Sequence, residues 1–101
     1  SRYAPILGES MSRESTLAVL IADLTDAANA DFISREEFTS LFSRTVRVLR
    51  LDIDDVVRIC KISRLTTERW LAGSSSPHRF VRALVFLTLC NVAKAQADNR
   101  A

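Results

Sequence analysis

The chain is expected to fold as an all-α domain of about five helices, and three observations point there. Glycine and proline number only two each in 101 residues, so little interrupts helical runs rich in Leu, Ala, Val, Arg and Glu. Apolar residues recur at helical spacing along most of the chain. Capping signals fall between those runs, at Ser34, Asp52, Ser63 and Gly73.

The first helix is expected over about Arg13 to Ala28, where Leu17, Leu20, Ile21, Leu24 and Ala28 share a stripe. Asn29 to Phe32 reads as a break. Ser34 and Glu37 then have capping-box spacing, and Ile33 is placed to staple onto Phe38. The second helix, about Arg35 to Arg50, carries Phe38, Leu41, Phe42, Val46 and Leu49 on one stripe, with Arg44, Arg47 and Arg50 mostly off it. Asp52 caps a third helix running to about Lys61, with carboxylates in its first turn where the helix dipole favours them. Ser63 or Thr66 caps a fourth, which ends at Gly73 as a left-handed residue. After "SSSP", Pro77 suits the first turn of a last helix over about His78 to Ala95.

That last helix is apolar on most sides, through Phe80, Val81, Ala83, Leu84, Val85, Phe86, Leu87, Leu89 and Val92. A circumference of that kind needs covering by the first helix or by a second subunit, and a homodimer is expected. Residues 13–95 form one domain. Residues 1–12 are read as flexible or in part foreign to the natural chain, with Met11 a candidate start, and residues 96–101 as a flexible tail.

Several function classes are argued against. Cys60 and Cys90 sit in apolar stretches, as small buried hydrophobes of a reducing cytoplasm, without the clustered spacing of a metal site. "FVRALVFLTLCNVA" is short for a bilayer span and contains Arg82, so no membrane partner is expected. The single histidine, His78, falls near a helix start. With no glycine-rich phosphate loop or paired acids in an apolar setting, no enzyme, catalytic residue or cofactor is expected.

Charge narrows the choice. The net is only +2, but residues 1–43 carry three Arg against seven Asp/Glu, whereas residues 44–82 carry nine Lys/Arg against four Asp/Glu. The middle of the chain is therefore the candidate face for a polyanion. Within it lies "DIDDVVRICKISRLTTERWLAG", in which two short helices meet at a serine without an intervening loop. A short helix, a tight turn and a second helix crossing the first make a helix-turn-helix. Val56, Cys60 and Ile62 fit the elbow's inside and Trp70 the inner face of the second helix; Leu84 and Leu87 are expected in the same core.

From Leu51 through Ser63-Arg64, Thr66, Arg69-Trp70 and Gly73 to Pro77, the chain resembles the Xre/Cro-type, lambda-repressor-like helix-turn-helix family. With flanking helices the resemblance covers about Glu36 to Ala93, leaving the first helix as an addition. It implies major-groove reading by residues 63–72, with Arg64, Leu65 and Arg69 facing base edges, Thr66 near a phosphate, and Arg44, Arg58 and Lys61 as further phosphate contacts. It also implies a small cytoplasmic regulator of bacterial, phage, mobile-element or antitoxin type, a repressor dimer on a palindromic operator in double-stranded DNA. The chain departs from the family pattern at Ile53, where a phosphate-gripping Gln is usual, and at Val57, Lys61 and Thr67. Those departures raise a second expectation: the fold serves protein contacts, as an antiactivator binding a transcription regulator, or an antitoxin binding a toxin.

Overall fold

A computed structural model describes residues 12–99, which form five α-helices: α1 (Arg13–Asn29), α2 (Arg35–Val48), α3 (Ile53–Cys60), α4 (Arg64–Ala72) and α5 (Arg79–Asp98). The fold is all-α, and no strand occurs among the described residues. Of the expected flexible segment 1–12, only Ser12 is described, and its side chain accepts the Ser15 N–H as the cap of α1. The question of a natural start at Met11 lies outside the described residues.

The first four helices begin where side chains satisfy their first N–H groups. Ser34 and Glu37 close a reciprocal capping box on α2, and Asp52 and Asp55 close another on α3. Of the two candidate caps for α4, Ser63 fills the position; its hydroxyl accepts the Thr66 N–H at 3.0 Å. Helix ends use left-handed residues: Arg50 at φ 58°, Lys61 at φ 60° and Gly73 at φ 79°. Gly73 satisfies the end of α4, while Lys61 and Arg50 hold a conformation that costs a side-chain-bearing residue about 1 kcal/mol. Arg50 is why α2 stops at Val48 rather than at the expected Arg50: the Leu51 N–H folds back onto the Val46 carbonyl at 3.0 Å.

The core has two parts. Phe38, Phe42, Phe86 and Trp70 form an aromatic cluster, with Trp70 edge-on to Phe38 and Phe42 at centroid separations of 5.3 and 5.6 Å. Leu17, Leu20 and Leu24 of α1 are sealed in the core with Leu89, Cys90 and Ala93 of α5, and these helices make the largest helix–helix contact. Two buried threonines, Thr45 and Thr67, fit because each hydroxyl bonds the carbonyl one turn back, on Leu41 and Ser63.

Cationic and amide side chains finish the helix C-termini. Arg13 donates to the Val48 carbonyl and to Gln96, which donates in turn to the Leu49 carbonyl. Arg82, 4% exposed, donates to the Ala30 carbonyl at the end of α1.

Three expectations are corrected. Leu84 and Leu87 are 66% and 46% exposed, because the stripe that α5 turns inward is Arg82, Val85, Phe86, Leu89, Cys90 and Ala93. Pro77 precedes the helix, with His78 at the cap making no side-chain capping bond. The helix also runs beyond Ala95 to Asp98, into the segment expected as a flexible tail; Gln96 is held by its bonds to α1 and α2. Val56 and Trp70 are buried as expected, and Ile62 is half-buried against the same cluster. By length and a mean hydropathy of 1.3 over 18 residues α5 reaches the threshold for a membrane span, but its inner stripe supplies this fold's core.

Candidate functional site

The α3–α4 elbow gathers most of the residues singled out in the sequence. Left-handed Lys61 lets α3 end and Ser63 lets α4 begin within three residues, and Val56, Thr67 and Trp70 anchor the pair inward. Arg64, Leu65, Glu68 and Arg69 consequently lie on the outside, all exposed, with Leu65 at 55%. Lys61 is exposed beside them, whereas Thr66 is half-buried and its hydroxyl accepts from Ser63 at 3.0 Å.

The arginines differ in their commitments. Arg64 donates to Asp54 of α3 at 2.6 Å and lies 3.8 Å from Glu68 on its own helix. Arg58 pairs with Asp55 at 3.0 Å. Arg69 and Lys61 make no side-chain hydrogen bond or ion pair among the described residues. Arg44 does not join the elbow group; it is half-buried on α2 and held by Asp23 of α1 at 2.8 Å, in a groove also lined by Glu36, Glu37, Ser40 and Leu41.

The acids around α3 were not singled out as site residues, yet they set the character of the face. Asp52, Asp54 and Asp55 occupy the cap and first turn of α3, flanking Ile53. The bond from the Asp52 backbone N–H to the Asp55 carboxylate, assisted by Arg58, holds the Asp55 pKa below the usual carboxylate value. Asp55 therefore stays ionised at neutral pH, paired with Arg58. The sequence signal was the run "DIDD" itself, which capping accounts for only in part: Asp52 and Asp55 form the box, and Asp54 is free to hold Arg64.

Cys60 lies half-buried at the end of α3, where burial pushes its thiol up to about 11, so it is protonated at neutral pH. Among the described residues no three His, Cys, Asp or Glu side chains group as a metal site would require. Comparison of the chain with protein-family models, with curated proteins and with solved structures finds no match.

Proposed function

We propose that this domain is a helix-turn-helix module of a transcription-regulatory system whose elbow works on a protein partner, in the manner of an antiactivator bound to a transcription regulator. The observation that carries this reading is the acidic first turn of α3, where Asp52 and Asp54 flank Ile53 and Asp54 pairs with Arg64, one of the three base-contact candidates. In a helix-turn-helix docked on DNA, that turn approaches the phosphate backbone, and phosphate contacts set the register of base reading. Here the position supplies Asp52, Ile53 and Asp54. Two carboxylates facing phosphates repel them, and Ile53 offers no hydrogen bond in place of an amide.

Leu65 supports the same reading from another side. It is exposed amid Arg64, Glu68 and Arg69, an apolar centre with a rim of both signs, as protein interfaces are built. The test is capture of a transcription regulator by the purified chain, followed by calorimetric titration of the captured regulator with the parent and its variants. Binding that Leu65→Asp weakens at least about tenfold, or by about 1.4 kcal/mol, supports the reading; binding indifferent to Leu65→Asp and Arg64→Glu refutes it.

A second reading, a sequence-specific DNA-binding repressor, draws on Arg69 and Lys61. Both are exposed cations without a side-chain partner among the described residues, on the elbow where base and phosphate contacts would fall. On that reading Lys61→Ala weakens binding to every duplex alike and lowers the salt dependence by about one ion.

A further inference from the structure

Where α1 meets α2 there is a groove of about 390 Å³, open to water, that shares no residue with the elbow. Glu36, Glu37, Ser40, Leu41 and Arg44 recur three and four residues apart along α2, so they line one wall, with Asp23 of α1 across from them. Leu41, half-buried against the core, gives the groove an apolar floor. Arg44 is the one cation that lines it, and Asp23 holds that cation at 2.8 Å. Glu36 makes no side-chain hydrogen bond or ion pair among the described residues. Glu37 gives one oxygen to the Ser34 N–H at 2.8 Å and pairs with no cation. That bond holds its pKa below the ordinary value, so the group is ionised at neutral pH. With Arg44 and Asp23 cancelling, two carboxylates stand uncompensated above a leucine. At the elbow, by contrast, Asp54 and Asp55 each have an arginine partner.

We propose that this groove receives arginine side chains from the DNA-binding surface of the transcription regulator, so that the chain and DNA compete for that surface. The choice of occupant rests on the reading of the domain given above. A protein that binds DNA must present clustered Lys and Arg to the phosphates, and two uncompensated carboxylates are complementary to such a surface. The floor selects arginine within that class. An arginine stem can lie along Leu41 while its guanidinium fork meets the carboxylates of Glu36 and Glu37. Capping accounts for Glu37, and the helix dipole favours Glu36 in the first turn of α2. Neither calls for the short wall at Ser40 or the apolar floor at Leu41, which leave room for a long side chain in front of the acids.

The first measurement is an NMR titration of the full chain with a synthetic helical peptide that carries two arginines one turn apart beside a leucine. A control peptide has glutamates in place of the arginines. Amide shifts at Glu36, Ser40, Leu41 and Arg44 are expected with the arginine peptide alone, and the affinity should fall as salt rises. Glu36→Lys combined with Ser40→Arg should weaken binding at least about tenfold. Both side chains are exposed, and an unchanged urea midpoint shows that folding is retained. Asp23→Asn should weaken binding as well, by releasing Arg44 into the groove. Shifts centred on Asp52 and Asp54, equal binding of the glutamate peptide, or indifference to the paired substitution would each overturn the proposal.

The second measurement sets the chain against duplex DNA for the captured regulator. DNA should release the chain, and the paired groove substitution should abolish capture. A regulator that holds DNA and the chain together would overturn the proposal. Capture lost in Leu65→Asp but kept in the groove variant would overturn it too, while leaving the reading of the elbow standing. Capture of no regulator by the parent would refute that reading, and this occupant with it.

Discussion

The α3–α4 elbow and the α1–α5 pair reach stability by opposite routes. In the elbow, helices of eight and nine residues are too short to persist by themselves, and their termini carry the definition: Asp52 and Ser63 at the starts, Lys61 and Gly73 at the ends. Few of their side chains are buried, chiefly Val56, Thr67 and Trp70. The pair consists of helices of 17 and 20 residues packed along facing leucines, and it depends little on local signals; α5 starts at His78 with no side-chain cap at all. The outer faces differ in the same sense. The elbow shows water a mosaic of charges, several already paired, and α5 shows an apolar stripe. A face defined by caps is free to carry almost any exposed side chain, so the elbow is where recognition can change without loss of fold.

Trp70→Ala is the largest expected blow to the elbow. It removes the one large side chain that ties α4 to the aromatic cluster, at a cost of about 3–5 kcal/mol in urea unfolding. A loss under about 1.5 kcal/mol would mean that caps alone define the elbow. Next is Arg82→Ala on the pair, at about 2–4 kcal/mol, because it deletes a buried stem and leaves the Ala30 carbonyl without its donor. Arg82→Met keeps the stem and also removes a buried charge whose Nε has no partner, so it should lie within about 1 kcal/mol of the parent.

Smaller effects probe the caps. Lys61→Gly should stabilise the fold by about 0.5–1 kcal/mol by relieving a left-handed side chain, read as a shift of the urea midpoint without a change in slope. A loss instead would show that the Lys61 side chain supports the turn. The smallest effect is acid sensitivity. Asp55 and Glu37 have pKa values held below their ordinary 3.8 and 4.5, chiefly by the backbone N–H groups of Asp52 and Ser34. Depressed carboxyl groups contribute stability that is complete above the ordinary values and lost as pH falls through the lowered ones. Melting temperature should therefore drop below about pH 4, and Asp55→Asn should make that drop shallower.

Much of this was legible in the chain. The stripe of α2 has sharp phase, because polar residues fill its other sides, and both capping boxes stand at fixed spacing. The α5 helix gave no such phase. With apolar residues nearly all round, periodicity could not tell Leu84 and Leu87 from Val85 and Leu89, and it placed them in the core wrongly. Arg82 was read only as a charge that argues against a bilayer span, whereas its long stem packs inward and its head caps α1. For the site, sequence position put Arg64, Leu65 and Arg69 on one exposed face. It could not show that Asp54, ten residues before Arg64, would hold it, since that contact exists only once the elbow is folded.

The central claim is that the acidic first turn of α3 turns this helix-turn-helix away from DNA. It is tested most directly by fluorescence anisotropy of the chain's own upstream DNA and a scrambled duplex, with the parent and an Asp52→Ser, Ile53→Gln, Asp54→Asn variant. The parent is expected to bind both duplexes equally weakly, and the variant to bind both at least about tenfold more tightly, by some 1.4 kcal/mol. Selective binding by the parent to its own upstream DNA, with about 1–3 kcal/mol lost in Arg64→Ala and again in Arg69→Ala, would contradict the claim.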